Sequence, residues 1–251
     1  MNVKTLIFDL DRTLLRTDKT LSPYTVAVLK ECRNRGFRIM IATARPQRAI
    51  TQFCEMIDFD AMTVSNGARI LFGGHREEYG LHPESAERLL KALKRYPEFR
   101  VTLETGDCAY SNKPIEDYET TLCDDLVSRA KSEGTLKILV HLDAKDALPI
   151  VAQELSDDLY YTIASGHLMQ IMSKAATKWN GISEMLKACG CSAKSSAYFG
   201  DDFDDIEPLK MCGTGIAVAN GISEAKAAAD YIAESNDEDG VASFIQRMLL
   251  N

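Results

Sequence analysis

The sequence predicts an α/β protein in two parts. A parallel-sheet core is built from both ends of the chain, and an α+β insert of about a hundred residues lies between them. Three observations carry this reading. Short, nearly unbroken apolar runs alternate with helical patterns over residues 1–80, and the same rhythm returns from residue 178 to 251. Over residues 81–177 the order changes to α-β-β-α-β-α-β-β, which suits a separate α+β layer. The 251 residues, 45 % apolar and 26 % charged, have a globular composition that bounds the chain to one or two domains.

Each element has a local cause. Val3 to Phe8 is a nearly unbroken apolar run that ends in acids, as a strand buried on both faces would. Ser22-Pro23 reads as helix cap and first turn, with the helix running to about Arg35 and stopped by Gly36. Phe37 to Ala42 is the second strand, Pro46 to about Met56 a second helix and Ala61 to Ser65 a third strand, followed by Asn66-Gly67. Ala68 to Phe72 and Arg76 to Tyr79 flank a hairpin turn at Gly73-Gly74.

In the insert, helices are expected over Glu84–Arg95, Glu119–Lys131 and Lys145–Leu155. Strands are expected over Arg100–Glu104, Ala109–Ser111 and Leu136–Leu142, and a hairpin over Tyr160–Ala164 and Leu168–Met172 turns at Ser165-Gly166. The closing section reads as helix Trp179–Ala188, strand Ser196–Phe199, helix Ile206–Cys212, strand Gly215–Val218, helix Ser223–Ala229, strand Tyr231–Ala233 and helix Val241–Leu250.

Acids outnumber bases, 37 to 29, for a net charge of −8. That argues against a nucleic-acid partner, which usually needs a basic face. No apolar run approaches the ~18 residues of a membrane span, and the first nine residues are too briefly apolar for a secretory signal. Seven cysteines without a C-x-x-C spacing read as reduced thiols of a cytoplasmic protein. The four histidines, His75, His82, His141 and His167, form no metal-ligand spacing. A monomer or homodimer is expected.

In an open α/β sheet, ligands bind beyond the carboxyl ends of the strands. The first strand ends in Asp9-Leu10-Asp11-Arg12-Thr13 and the second in Thr43-Ala44-Arg45. The strand near Phe199 ends in Gly200-Asp201-Asp202, with Asp205 following, and Lys178 opens the helix before it. Clustered carboxylates favour a hard divalent cation, and a cation together with an ammonium can hold a phosphoryl group. A positioned aspartate can serve as nucleophile, and a second carboxylate two residues on as general acid and then base. Phosphoryl transfer needs mainly positioning and charge neutralisation, which this inventory supplies.

These residues resemble a known family. Phe8-Asp9-Leu10-Asp11-x-Thr13-Leu14-Leu15 is similar to the first motif of the haloacid dehalogenase (HAD) superfamily, Ala42-Thr43-x-Arg45 to its second, and Lys174-x-x-x-Lys178 to its third. Gly200-Asp201-Asp202-Phe203-Asp204-Asp205-Ile206 is similar to its fourth. Gly215-Ile-Ala-Val-Ala-Asn220, Ala227-Ala-Ala-Asp230-Tyr231 and Asn236-Asp-Glu-Asp-Gly240-Val241 further resemble its Cof-type phosphatase branch.

The resemblance implies a Rossmann-like core over 1–80 and 178–251 and a C2B-type cap domain over 81–177 that closes over the site and chooses the substrate. It implies a Mg²⁺-dependent hydrolase of a small phosphorylated metabolite, a sugar phosphate or phosphorylated cofactor, working through an aspartyl-phosphate. Asp9 would be nucleophile and metal ligand. Asp11 would be the acid/base, its backbone carbonyl also on the metal. Asp201 would be a ligand, with Asp205 a ligand or just behind one. Thr43, Lys178 and the backbone N–H groups of Leu10 and Ala44 would hold the phosphoryl oxygens. Substrate choice would fall to residues around Tyr110–Lys113, His141 and Ser165–Met169.

The chain departs from the family pattern at three positions. Arg12 stands where Gly is usual, Ala44 replaces Gly, and Asp204 replaces an Asn on the phosphate side. These departures motivate an alternative expectation, a catalytically impaired phosphometabolite-binding or regulatory module.

Overall fold

A computed structural model of the chain describes residues 2–144, 146–164 and 166–251. The expected start of a helix at Lys145 and the turn position Ser165 lie outside the described residues. The chain divides into two compact units, Met1–Glu77 with Thr177–Asn251, and Glu78–Ala176.

The first unit begins with β1 (Thr5–Phe8), every residue of which is buried. Then come α1 (Pro23–Asn34), β2 (Arg38–Ala42), the single turn α2 (Thr51–Cys54) and β3 (Ala61–Val64), followed by the hairpin β4 (Arg69–Phe72) and β5 (His75–Glu78). Ser22 caps α1 by accepting the Thr25 N–H at 3.0 Å.

The second unit holds α3 (Pro83–Leu93), β6 (Val101–Glu104), β7 (Ala109–Ser111), β8 (Thr121–Leu122), α4 (Leu126–Glu133), β9 (Lys137–His141), α5 (Ala147–Glu154), β10 (Leu159–Ala164) and β11 (Leu168–Ser173). The chain returns to the first unit with α6 (Lys178–Ala188), β12 (Ser196–Gly200), α7 (Ile206–Met211), β13 (Thr214–Val218), α8 (Ser223–Ala228), β14 (Tyr231–Ala233) and α9 (Gly240–Ile245).

The first unit's sheet runs β14-β13-β12-β1-β2-β3-β4-β5. It is parallel from β14 to β3 and turns antiparallel at β4. β1 lies in the middle, with Phe8 paired to Phe199 on one side and Ile41 on the other. One core cluster on this sheet gathers Leu6, Phe8, Ile39, Ile41, Phe199, Ile216 and Phe244. The topology therefore places the carboxyl ends of β1, β2 and β12 side by side.

The second unit's sheet runs β10-β11-β9-β6-β7-β8, antiparallel except between β7 and β8. Leu89, Leu90, Phe99, Leu103, Ile138, Val140, Val151 and Ile171 form its core.

Two expected helices differ from the structure. Over Pro46–Met56 there is a 3-10 turn (Gln47–Ala49) followed by α2, because the Arg45 guanidinium takes the Ala49 carbonyl at 3.3 Å. An unbroken α-helix would give that carbonyl to the Phe53 N–H, which bonds to Ile50 instead. Over Glu119–Lys131, Thr121–Leu122 pairs with β7 as β8, and the helix starts only at Leu126, where Asp125 caps it by accepting the Ser128 N–H. Side-chain capping by Asp outcompetes continuation of the helical pattern upstream.

Candidate active site

The site is assembled from the ends of four elements in the first unit. β1 delivers Asp9, held in the sheet's register by its N–H bond to the Phe199 carbonyl at 2.9 Å. Beyond it the chain makes a wide turn, closed by Leu14 N–H to Asp9 and Leu15 N–H to Leu10. Leu10 itself is fully buried in the core. Asp11 is extended, while Arg12 takes the left-handed conformation, φ 59°. That φ explains why glycine suits this position, since an L-side chain is strained there. The Arg12 side chain is exposed, and Asn220 Nδ2 donates to the Arg12 carbonyl at 2.7 Å. One residue on, the buried Thr13 hydroxyl donates to Asp201 Oδ1 at 2.7 Å, tying the turn to the end of β12.

α6 delivers Lys178 as its first residue, with Thr177 capping the helix by accepting the Asn180 N–H. The helix packs tightly on β3: a Cβ at Gly181 would meet Thr63 Oγ1 at 2.2 Å and the Gly67 Cα at 2.8 Å. Only glycine permits this approach, and it sets the depth of Lys178. From there Lys178 Nζ donates to Asp9 Oδ1 at 3.0 Å and Asp205 Oδ1 at 2.5 Å.

Asp205 is fully buried and its acceptor sites are used. Oδ1 also accepts the Tyr198 hydroxyl at 2.5 Å, and Oδ2 accepts the Asp201 and Asp202 N–H groups at 2.8 and 3.0 Å. Gly200 makes room for it, because a Cβ there would lie 2.6 Å from the Asp205 carboxyl carbon. With its lone pairs committed in this way, Asp205 holds Lys178 and shapes the Asp201 turn.

Carboxylate oxygens of Asp9, Asp201 and Asp205 all lie within 4.8 Å of one another. Among the described residues this is the one group of three His, Cys, Asp or Glu side chains near enough to share an ion. Burial pushes the Asp9 carboxyl well above the usual range; Lys178 opposes this, while Asp205 and Asp201 add to it. Burial, then repulsion from Asp205, raises Asp201 to about 6. Burial works against ionised Asp205 too, but the charge and hydrogen bond of Lys178 outweigh it and bring its pKa below the usual value. Burial disfavours the Lys178 ammonium, yet Asp205, Asp9 and Asp204 together hold it firmly charged.

Three carboxylates facing one ammonium leave an excess of two negative charges when all are ionised. A hard divalent cation bound by oxygen would cancel that excess, so the donor set fits Mg²⁺.

The other expected site residues are placed as follows. Thr43 is buried at the end of β2, its carbonyl accepting the Asn66 N–H at 3.1 Å and its hydroxyl accepting the Arg45 N–H at 3.2 Å. Ala44 is half-buried between them. The Asp11 carboxylate is turned to Arg45, which grips it with two bonds, Nε to Oδ2 at 2.7 Å and Nη2 to Oδ1 at 2.6 Å. Asp204 accepts from Asn66 Nδ2 at 2.7 Å, so its charge is met by an amide as well as by Lys178.

Sequence reasoning assigned no role to Arg45, Asn66 or Tyr198. Arg45 lies inside the second motif, whereas Ser65 reads as the last residue of the third strand with Asn66-Gly67 merely following it; the strand in fact ends at Val64, and Ser65–Gly67 form a turn. In the structure all three turn residues have positive φ, 52°, 57° and 93°. The turn docks on β2 through Asn66 N–H to Thr43 and Ser65 N–H to Arg45. Tyr198 carried no signal, since an aromatic in a buried strand is ordinarily core.

The haloacid dehalogenase-like hydrolase family model matches residues 6–245. Among similar proteins are the 5-amino-6-(5-phospho-D-ribitylamino)uracil phosphatase YitU of Bacillus subtilis, 25 % identical over 96 % of both chains, and the pyridoxal phosphate phosphatase YbhA of Escherichia coli, 24 % identical over the whole of both. A haloacid dehalogenase-like hydrolase from Bacteroides thetaiotaomicron has the same fold, with a TM-score of 0.89 and 22 % identity over 98 % of this chain and 100 % of that one.

Proposed function

From the premise that the chain belongs to the haloacid dehalogenase-like hydrolases, we propose that it is a Mg²⁺-dependent phosphatase of a small phosphorylated metabolite, a sugar phosphate or a phosphorylated cofactor. The observation that carries this reading is the buried trio Asp9, Asp201 and Asp205 gathered around Lys178. The relatives named for phosphatases of a phosphoribitylaminouracil and of pyridoxal phosphate support the substrate class.

In this reading Asp9 attacks phosphorus and becomes the aspartyl-phosphate, while Asp11 gives a proton to the leaving alcohol. Asp11 then takes a proton from the water that cleaves the intermediate. Lys178, Thr43 and the N–H groups of Leu10 and Ala44 hold the phosphoryl oxygens. Asp9, Asp201 and the Asp11 carbonyl, backed by Asp205, would hold Mg²⁺, whose charge offsets that of the phosphoryl group. Residues 81–177 take the part of the C2-type cap that selects the substrate.

The departures at Arg12, Ala44 and Asp204 leave every charged group of this scheme in place. The test is phosphate release from a panel of metabolite monoesters, with Mg²⁺ and with EDTA. Turnover of some members with Mg²⁺, abolished by EDTA, is expected. Binding without turnover across the panel would replace this reading with the impaired module.

A further inference from the structure

The candidate active site lies at the carboxyl ends of the first unit's strands. At their amino ends the chain leaves a cavity of about 510 Å³, a volume ordinary for a small-molecule site. Thr5 of β1 and Arg38 of β2, neighbours in the sheet, meet at its wall, and the last residues of α1 and α6 lie beside them. β1 thus runs from this cavity to Asp9.

The charge of the cavity is opposite to that of the chain. Acids outnumber bases overall, 37 to 29, yet Lys4, Arg35 and Arg38 line the cavity and no Asp or Glu does. The carboxylates next to it are already met: Arg35 holds Glu31 at 2.8 Å, while Arg38 and Arg33 share Asp60 at 2.8 and 3.0 Å. The Lys4 ammonium has no partner among the described residues. Four cations therefore meet two carboxylates, an excess of two positive charges. Arg38 spends a single N–H on Asp60, which leaves the rest of its fork uncommitted. Ser192 adds an exposed hydroxyl that caps no turn.

Helix carboxyl ends ordinarily repel anions, but here both are closed. The Gly36 and Phe37 N–H groups take the Arg33 and Cys32 carbonyls of α1, and the Gly190 and Cys191 N–H groups take the Lys187 and Leu186 carbonyls of α6.

We propose that this cavity is a second binding site, for a dianionic phosphate group carried by a small metabolite. The positive excess matches the charge of the dianion, and a guanidinium fork with an ammonium and a hydroxyl matches its oxygens. The space beyond a phosphate's own volume takes the rest of the metabolite. The site is independent of the catalytic reading, since no residue of the proposed machinery lines it.

Cys189 and Cys191, both half-buried, line the same cavity and report on it. Burial, then Cys191, pushes the Cys189 thiol up, and the charge of Arg38 opposes this. A bound dianion covers the thiols and offsets the Arg38 charge that favours thiolate, so both effects slow alkylation.

The test is the rate at which iodoacetamide alkylates each cysteine of the full chain, read by peptide mass spectrometry with EDTA present, in inorganic phosphate or in chloride of equal ionic strength. Phosphate at about ten times its dissociation constant is expected to slow Cys189 and Cys191 about tenfold and to leave the exposed Cys108 unchanged. Arg38→Gln and Lys4→Gln alter exposed side chains whose loss costs the fold little. Each is expected to raise the phosphate needed for that protection by about tenfold. If the two thiols alkylate too slowly to follow, calorimetric titration of phosphate into the parent and both variants decides. Equal rates in phosphate and chloride overturn the proposal. So does protection that extends equally to Cys108, or phosphate binding that both variants leave unchanged.

Discussion

Replacing Lys178 with Met removes the one ammonium among the buried carboxylates while keeping most of the side chain's volume. The Lys178 side chain is 5 % exposed, and its partners Asp9 and Asp205 are 8 % and 0 % exposed. Removing one partner of such a pair leaves uncompensated buried charge and costs about 3–5 kcal/mol. Total stability is only about 5–15 kcal/mol, and each kcal/mol moves the melting temperature of a chain this size by about 2–4 °C. The variant is therefore expected to melt roughly 6–20 °C below the parent at pH about 8 without divalent cations.

The sign of its pH dependence follows from the same groups. Without the ammonium, Asp9 and Asp205 have folded pKa values above their unfolded ones. Stability from such groups is present at low pH and is lost as pH rises through the folded value. The gap to the parent is thus expected to narrow toward pH about 5. Calorimetry of both proteins at the two pH values checks this. A loss below about 1 kcal/mol, or a gap that widens on acidification, refutes the reasoning.

Three further outcomes are expected. Asp201 is raised from its ordinary 3.8 to about 6, so in the metal-free protein its protonated form is stabilising and that contribution is lost as pH rises through about 6; the rise in melting temperature on adding Mg²⁺ should therefore be larger at pH about 7.5 than at pH about 5. Arg45→Ala frees Asp11 from its two-bond grip and should lower kcat by roughly ten- to a hundredfold with little change in KM, read from steady-state kinetics. Arg12→Gly relieves a left-handed residue and should raise stability by about 0.5–1 kcal/mol in a denaturant titration, with catalysis retained.

The alternating architecture was legible because buried parallel strands leave nearly unbroken apolar runs such as Leu6-Ile7-Phe8 and Ala197-Tyr198-Phe199, and because capping residues such as Ser22 mark helix starts. The charged residues at strand ends were legible for the same reason: once the strands are placed, Asp9, Asp201 and Lys178 fall at one sheet edge. What could not be read was set by contacts between distant segments. The break at Pro46–Met56 depends on Arg45 reaching the Ala49 carbonyl while gripping Asp11. The short strand β8 depends on a partner, β7, ten residues upstream. Tyr198 and Asn66 reveal their roles only when Asp205 and Asp204 are brought to them by tertiary folding. A two-residue strand and a buried tyrosine carry too little local periodicity to announce either.

In the proposed function Asp9 is the nucleophile of a site completed by a divalent cation. Mg²⁺-dependent phosphate release from p-nitrophenyl phosphate, compared between the parent and Asp9→Asn, tests it most directly. Turnover by the parent that EDTA removes is expected, with a loss of at least about a thousandfold in Asp9→Asn. Turnover by Asp9→Asn equal to the parent's would contradict it.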